Sequence, residues 1–75
     1  MFNVVRKQAL SETVYRQLED QILRNELKPG AVLPAERALS EQLGVNRGAV
    51  REAIKRLQQA GLVVVRHGGN SVVQD

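Results

Sequence analysis

The sequence predicts a small α+β domain with three helices, a very short strand and a C-terminal β-hairpin. Apolar residues recur with a helical period in three stretches, and short turns that contain glycine separate these stretches. After Gly61 the pattern changes to two β-branched runs around a glycine-rich turn. With 75 residues, the chain is large enough for one domain with one modest core.

The first helix is predicted at residues 11–25, after an extended arm at residues 1–9. Ser11 can cap this helix, because its hydroxyl oxygen can accept a hydrogen bond from an unpaired backbone N–H group. Arg6 and Lys7 are candidate phosphate contacts, and the alternative for the arm is a disordered terminus. The apolar face of the helix and its flanks consist of Val14, Tyr15, Leu18, Ile22 and Leu23.

A turn, a short strand and a second helix follow. Pro and Gly within residues 27–30 suit the central positions of a type II turn, and residues 31–33 are predicted as a very short strand. Pro34 pre-sets φ for a helix over residues 35–43, and Glu36 near its start complements the helix dipole. The inward-facing residues of this helix are predicted as Ala38, Leu39 and Leu43.

The second and third helices are predicted to meet at a tight turn. Gly44 supplies the left-handed residue that ends a helix, and Val45 points back as an apolar plug. Asn46 is a good N-cap for the third helix, which Gly61 ends. The buried face of the third helix has the i, i+3, i+4, i+7 spacing and consists of Val50, Ala53, Ile54 and Leu57.

The C-terminal residues predict a β-hairpin. Its strands are expected at residues 62–66 and 71–74, and its turn at residues 67–70. A helix-turn-helix followed by such a hairpin is a winged helix. The predicted fold class is therefore a small winged helix-turn-helix domain that spans residues 1–75.

A second face of the third helix carries positive charge. Arg47, Arg51 and Lys55 follow one another at i, i+4 and i+8, about 120° from the apolar centre. No carboxylate on this stripe neutralises them, because Glu52 lies further round and is better placed to pair with Arg56. Such a stripe favours a polyanion as ligand, and the alternative is a solvated basic surface.

The distribution of charge along the chain supports a nucleic-acid ligand. Residues 1–45 carry six basic and six acidic side chains, whereas residues 46–75 carry five basic and two acidic ones. The whole net charge of +3 therefore lies from the third helix onward. Only Phe2 and Tyr15 are aromatic, whereas modules for RNA or single strands usually stack bases on aromatic side chains. Duplex DNA is the favoured ligand.

Other classes of function are disfavoured. The chain has no cysteine, and its only histidine, His67, has no acidic or nucleophilic partner nearby in the sequence. We therefore expect no metal, no cofactor and no enzymatic activity. No run approaches the roughly 20 apolar residues of a membrane span, and residues 1–10 lack the apolar run of a signal peptide. We expect a cytoplasmic protein without membrane contact.

Taken together, these segments resemble a known family. The chain is similar, over residues 10–73, to the N-terminal winged-helix domain of GntR-type bacterial transcription regulators, especially the branch that includes the fatty-acid-responsive regulator. The segments that carry the resemblance are LKPG at 27–30, LPAER at 33–37, GVNR at 44–47, VREA at 50–53 and the wing segment at 61–68.

The resemblance implies three places of contact with DNA. An arginine of the second helix reaches the DNA, the start of the recognition helix enters the major groove, and the wing tip touches the minor groove or the adjacent backbone. The residues of this chain at those places are Arg37, Asn46, Arg47, Arg51, His67 and Gly68.

The charged candidates each have an alternative role. Arg47 is the candidate for contact with a guanine base, and its alternative is a phosphate contact. Arg51 is expected to contact a phosphate or a second base rather than to form a structural ion pair. Arg37 can instead be satisfied by Glu41, and Lys55 is placed to reach only the DNA backbone.

Two positions depart from the family pattern. Gly48 and Ala49 stand where family members often carry hydroxyl residues, so hydroxyl contacts with DNA are lost there. Gly48 either permits a close approach of the helix to the groove or is simply tolerated in the first turn. Asn70 stands where the wing commonly has a second glycine, and asparagine tolerates the left-handed conformation.

The resemblance also concerns the whole protein. A larger effector-binding domain is expected downstream of Asp75, absent from residues 1–75, and it usually mediates dimerisation. We expect a homodimer in the full-length protein, a mainly monomeric 75-residue fragment and a short inverted repeat as the DNA site. The competing hypothesis is a winged helix that binds another protein, since fold alone does not fix function.

Overall fold

The computed structural model describes residues 6–66 and 68–74, with side chains from Ala9 onward. Within these residues, three helices and a two-stranded antiparallel sheet follow one another, which confirms the predicted fold class. Their bounds are α1 Arg6–Leu23, α2 Glu36–Leu43, α3 Arg47–Gln59, β1 Val63–Val65 and β2 Ser71–Val73.

The start of α1 differs from the prediction. The helix begins at Arg6, so residues 6–9 are helical, and the expectation of an extended arm is wrong for them. Ser11 lies buried within the helix instead of capping it. The physical reason is helix propensity, because Arg, Lys, Gln, Ala and Leu at residues 6–10 are all strong helix formers. The proposed phosphate contacts of Arg6 and Lys7 lie outside the described side chains.

The C-terminal end of α1 is set by a left-handed asparagine. Asn25 has a φ of 64°, and its N–H donates to the carbonyl of Ile22 at 3.0 Å. The N–H of Glu26 donates to the carbonyl of Gln21 at 2.9 Å, which completes a Schellman motif. The helix therefore ends at Leu23, two residues earlier than predicted.

The turn and the short strand before α2 match the prediction. The N–H of Ala31 donates to the carbonyl of Lys28 at 2.9 Å, and Gly30 has the positive φ of 86° that a type II turn requires. Val32 then forms an isolated antiparallel bridge with Val72. The short strand predicted at residues 31–33 is thus reduced to this one bridge.

The second helix begins one residue later than predicted. Ala35 is the N-cap of α2 and supplies no side-chain hydrogen bond, so the helix starts at Glu36 and Pro34 precedes the cap. Glu36, in the first turn, is the acidic residue that complements the dipole there. Gly44 follows the helix with a φ of 70°, as predicted.

The connection to α3 also follows the prediction. The N–H of Val45 donates to the carbonyl of Ser40 at 3.1 Å, and Val45 packs half-buried against the core. The side-chain oxygen of Asn46 accepts a hydrogen bond from the N–H of Ala49 at 2.8 Å, so Asn46 is the N-cap of α3. The helix α3 ends at Gln59, with Ala60 as its C-cap, and Gly61 follows with a φ of 76°.

The wing is an antiparallel hairpin. In its register Val63 pairs with Val73, Val64 with Val72 and Val65 with Ser71. Because Val32 bridges to Val72 from the other side, β2 lies between β1 and the short segment before α2. This arrangement ties the wing to the body of the domain on the side of α2.

The core lies between α1, α3 and the base of the wing. All four residues predicted for the buried face of α3 are buried, and Leu57, Val50 and Val14 are the largest of the fully buried side chains. Leu23, predicted beside the apolar face of α1, is instead 71% exposed. The buried cluster consists of Val14, Leu18, Leu33, Leu39, Val50, Ala53, Ile54, Leu57, Val63 and Val73.

A polar cluster joins the outer edges of α1 and α3. The guanidinium of Arg56 lies 4.1 Å from the centre of the Tyr15 ring and forms an ion pair with Glu12. Glu12 also accepts from Arg16 at 2.8 Å. Arg16 first, and then Arg56, hold the pKa of Glu12 below its ordinary value of 4.5. The predicted pairing of Arg56 with Glu52 is therefore wrong.

The core makes a prediction that one pair of leucines can test. Leu57→Ala should lower the free energy of unfolding by about 2–5 kcal/mol, because the truncation leaves a cavity in a fully buried site. Leu23→Ala, the same change at an exposed site, should alter it by less than about 0.5 kcal/mol. Urea unfolding followed by circular dichroism measures both. Equal losses for the two variants would contradict the position assigned to α3.

The cluster at Glu12 predicts a pH dependence of stability. The folded state binds a proton at Glu12 more weakly than the unfolded state does, because the pKa is lowered. The ionised carboxylate therefore stabilises the fold above its ordinary pKa of 4.5, and this contribution disappears as the pH falls through the lower folded pKa. Glu12→Gln should lower the melting temperature at pH 7 and have little effect at pH 2.

The matched control for this experiment is Glu26→Gln. Glu26 is exposed and forms no ion pair within the described part of the chain, so the same chemical change should have little effect at either pH. A melting-temperature loss for Glu12→Gln that is equally large at pH 2 and pH 7 would rule out the electrostatic explanation.

Candidate nucleic-acid interface

One concave surface connects α2, α3 and the wing. It encloses about 570 Å³ and is lined by the N-terminal turn of α2, one face of α3 and the wing residues from Gly68 to Ser71. Four cationic side chains lie along it, and we call this surface the basic groove. Its cations are Arg37 from α2 and Arg47, Arg51 and Lys55 from α3.

The structure therefore brings most of the predicted site residues together. The stripe at i, i+4 and i+8 on α3 faces the groove because the apolar face of the same helix is buried in the core. Gly68 lies at the opposite wall, in the wing. Asn46 and Gly48 stand at the start of α3 and do not line the groove, and His67 lies outside the described residues.

Arg47 is the most available of these cations. It is the first residue of α3 and is exposed. Among the described residues, no carboxylate oxygen lies within 4.0 Å of its guanidinium. A guanidinium without a carboxylate partner can present its donor fork to another acceptor without first breaking an ion pair.

Arg37 and Lys55 each lie close to a carboxylate of their own helix. Arg37 Nε lies 3.6 Å from Glu41, as the sequence suggested for this pair. Lys55 Nζ lies 4.0 Å from Glu52, although the sequence placed Glu52 nearer to Arg56. All four side chains are more than half exposed, so these pairs are of the weak surface type.

Arg51 forms a two-point ion pair with Glu36. Its Nη2 donates to one carboxylate oxygen of Glu36 at 3.2 Å, and its Nε donates to the other at 3.3 Å. This contact with Glu36 raises the pKa of Arg51. The sequence did not predict this ion pair, and the expected contact of Arg51 with a phosphate or a second base stays a prediction. The pair forms because the turn brings the first residue of α2 against the second turn of α3.

The cap at Asn46 limits what this residue can offer to DNA. Its side-chain oxygen already accepts from the N–H of Ala49 at 2.8 Å. The amide nitrogen carries two further N–H donors, which suit phosphate or base acceptors. The cap and a contact through the amide nitrogen are therefore compatible.

The wing tip is shaped by two consecutive glycines. Gly68 and Gly69 have φ values of 91° and 86°, a conformation that side chains other than glycine rarely adopt. The N–H of Arg66 donates to the carbonyl of Asn70 at 2.7 Å and closes the turn. Asn70 itself has no positive φ, so its substitution for glycine introduces no left-handed strain.

Sequence reasoning missed several residues of the groove. Gln58 lies three residues after Lys55 on the same helical stripe, so an extension of the stripe by one turn identifies it. Glu36 was predicted only to complement the dipole of α2. Its contact with Arg51, 15 residues later in the chain, cannot be predicted from local spacing. Val65 and Asn70 also line the groove from the wing.

Metal binding and membrane spanning have no candidate among the described residues. The described residues contain no cluster of three or more His, Cys, Asp or Glu side chains that could hold a metal ion. In the same part of the chain, the helices are too short or too polar to cross a membrane.

Comparison with known families identifies the chain. Residues 10–73 match the family described as "Bacterial regulatory proteins, gntR family". The chain belongs to the gntR family. The predicted family is thereby confirmed, and this gntR-family chain is the winged-helix DNA-binding domain of a transcription regulator.

Relatives of this gntR-family domain include fatty acid metabolism regulators, which belong to the branch that the sequence resembles. The chain is 49% identical over 71 residues to the HTH-type transcriptional regulator Mce2R of Mycobacterium tuberculosis. It is 40% identical over 65 residues to the fatty acid metabolism regulator protein of Edwardsiella ictaluri. These matches cover 95% and 87% of this chain, but the chain spans only 30% and 27% of the length of the two relatives.

A solved structure supports the fold. The structure of AraR(DBD) in complex with operator ORR3 matches with a TM-score of 0.79 and 30% sequence identity. The match covers 85% of this chain and 77% of the AraR chain.

Proposed function

We propose that the domain binds duplex DNA sequence-specifically through the basic groove, with α3 in the major groove and the wing at the minor groove or the adjacent backbone. The observation that carries this proposal is the convergence of Arg37, Arg47, Arg51 and Lys55 on one concave surface between two helices and the wing. The operator complex of AraR(DBD), a structural neighbour, gives the fold a precedent for this ligand.

Arg47 is the proposed contact for a base edge. Residues in the first turn of a recognition helix are those that helix-turn-helix proteins place against the bases. The guanidinium fork matches O6 and N7 of guanine, and such a contact discriminates against the wrong base by about 1–3 kcal/mol. Its lack of a carboxylate partner among the described residues makes it available for this contact.

Arg37 and Lys55 are the proposed phosphate contacts. Both pair with a carboxylate of their own helix, and surface pairs of this kind contribute about 0–1 kcal/mol. A DNA phosphate can replace such a partner at small cost. These contacts fix the position of the domain on the duplex without carrying sequence information.

The wing is the proposed third contact. Gly68 lines the groove opposite α3, and its lack of a side chain permits a close approach of the backbone to DNA. His67, which lies outside the described residues, stays a prediction at the same tip. Gly48 and Asn46 stay predicted contacts at the start of α3.

We further propose that two copies of the domain bind the two halves of a short inverted repeat. Symmetric dimers of helix-turn-helix proteins bind half-sites that are related by the same two-fold symmetry. In the full-length protein, a second domain after Asp75 supplies the dimer contact and binds the effector.

The proposed function also implies a compartment. A regulator of bacterial chromosomal DNA acts in the cytoplasm, and we assign the protein to that compartment. Neither the family nor the basic groove favours the alternative of a protein-interaction module.

The first test separates base contact from phosphate contact. Arg47→Ala should weaken binding to the preferred site by about 1–3 kcal/mol and remove the preference for one G·C pair in each half-site. Lys55→Ala should weaken binding to all sequences alike and reduce the slope of log affinity against log salt by roughly one unit. The measurement is binding to a panel of single-base variants, selected from a random duplex pool, at two salt concentrations.

Circular dichroism is the control for folding, because neither side chain belongs to the buried cluster. If Arg47→Ala keeps the full base preference of the wild-type chain, the assignment of the recognition residue is wrong. If the wild-type chain prefers no duplex sequence, the proposed function itself is wrong.

The second test concerns assembly. The 75-residue chain should be mainly monomeric at micromolar concentration and should bind an inverted repeat with two copies. Without a linked partner, its affinity for the repeat should fall about 10²–10⁴-fold below that of a tethered dimer. Sedimentation velocity with and without DNA measures both states. A tight dimer in the absence of DNA would contradict the proposal that a second domain supplies the dimer contact.

A further inference from the structure

We propose that Glu36 is a positioning residue, which holds Arg51 in the orientation for a base contact and thereby helps to set the sequence preference of the domain. This inference rests on the proposed function. It assigns to Glu36 a task beyond its place at the helix dipole, and it assigns to Arg51 a base contact.

The geometry of the contact carries this proposal. Both carboxylate oxygens of Glu36 accept from two different nitrogens of Arg51, at 3.2 and 3.3 Å. A two-point contact between a planar carboxylate and a planar guanidinium fixes the orientation of the guanidinium as well as its position. The pair also joins two helices, whereas the partners of Arg37 and Lys55 lie on the same helix as the cation.

The location of Glu36 is a second argument. A carboxylate in a groove lined by four cations repels DNA phosphates and opposes the non-specific attraction of the domain. Its side chain is 36% exposed, so it is among the less exposed partners in these ion pairs. A carboxylate at this position therefore lowers the affinity of the domain for any DNA sequence. Its contact with Arg51 offsets this loss by increasing the preference for one sequence over others.

The expected consequence concerns the choice between base and phosphate. An unpaired Arg51 on the stripe can turn toward the nearest phosphate, where it contributes equally to every sequence. Held by Glu36, the guanidinium keeps the orientation that it has in the free domain, and less side-chain freedom is lost on binding. Arg51 retains further N–H donors for a base edge, since a guanidinium carries five donors and Glu36 accepts two contacts.

The test uses the 75-residue chain with the variant Glu36→Gln, which keeps the shape of the side chain and removes its charge. The first measurement is the ratio of affinities for the selected duplex and a scrambled duplex. Positioning predicts that this ratio falls roughly tenfold, in line with the discrimination carried by one base contact. It also predicts a salt slope steeper by roughly one unit, because Arg51 then reaches a phosphate.

A role of Glu36 through its charge alone predicts a different result. Loss of repulsion then strengthens binding to both duplexes by the same factor, and the ratio of affinities stays constant. The matched control is Asp20→Asn. This change removes one carboxylate of α1 and its ion pair with Arg24, and neither residue lines the groove. This control should leave the ratio unchanged.

Two further measurements show whether Glu36 acts through Arg51. In the Arg51→Ala background, Glu36→Gln should change the ratio by less than about twofold, because coupled residues are not additive. Without DNA, exchange of the Arg51 Nε proton with water should be slower than that of Arg47 in the wild type and should accelerate in Glu36→Gln.

The outcomes separate this inference from the proposed function. A wild-type chain with a clear sequence preference, together with a Glu36→Gln variant that keeps the same ratio, overturns only the positioning role. Equal effects of Glu36→Gln with and without Arg51 also overturn it. A wild-type chain without sequence preference overturns both proposals.

Discussion

The burial of one face of α3 is the constraint on which the rest of the structure depends. Val50, Ala53 and Leu57 are completely buried against α1 and the base of the wing. Because an α-helix turns about 100° per residue, burial of this face directs the residues at 47, 51 and 55 toward a side of the helix about 120° away. The same packing that stabilises the domain therefore presents its cations to a ligand, and the buried face and the basic groove cannot be changed independently.

A left-handed residue follows each of the three helices. Asn25, Gly44 and Gly61 each have a positive φ within two residues of the end of a helix, and each allows the chain to turn back within a few residues. Asn46 then starts α3 immediately through its side-chain cap. The short turn between α2 and α3 brings Glu36 against Arg51, so the local backbone conformation determines the electrostatics of the groove.

The sequence predicts those features that depend on local chemistry. The cap at Asn46, the left-handed Gly44, the type II turn at Gly30 and the hairpin all follow from residue types at fixed spacing. The start of α1 differs from the prediction, because the helix propensity of residues 6–10 extends the helix past the capping residue Ser11. Contacts between distant segments, such as Glu36 with Arg51 and Glu12 with Arg56, were missed because periodicity identifies the face of a helix and not its partner.

The first turns of α2 and α3 place opposite charges at the positive end of the helix dipole. The first turn of α2 carries Glu36, which the positive end of the dipole stabilises. The first turn of α3 carries no acidic residue and begins with Arg47, a cation at the end where cations are disfavoured. Natural sequences depart from such local rules mainly at functional sites. A cation at this position loses some helix stability, but it adds its charge to that of the helix end, and both then attract the negatively charged surface of DNA.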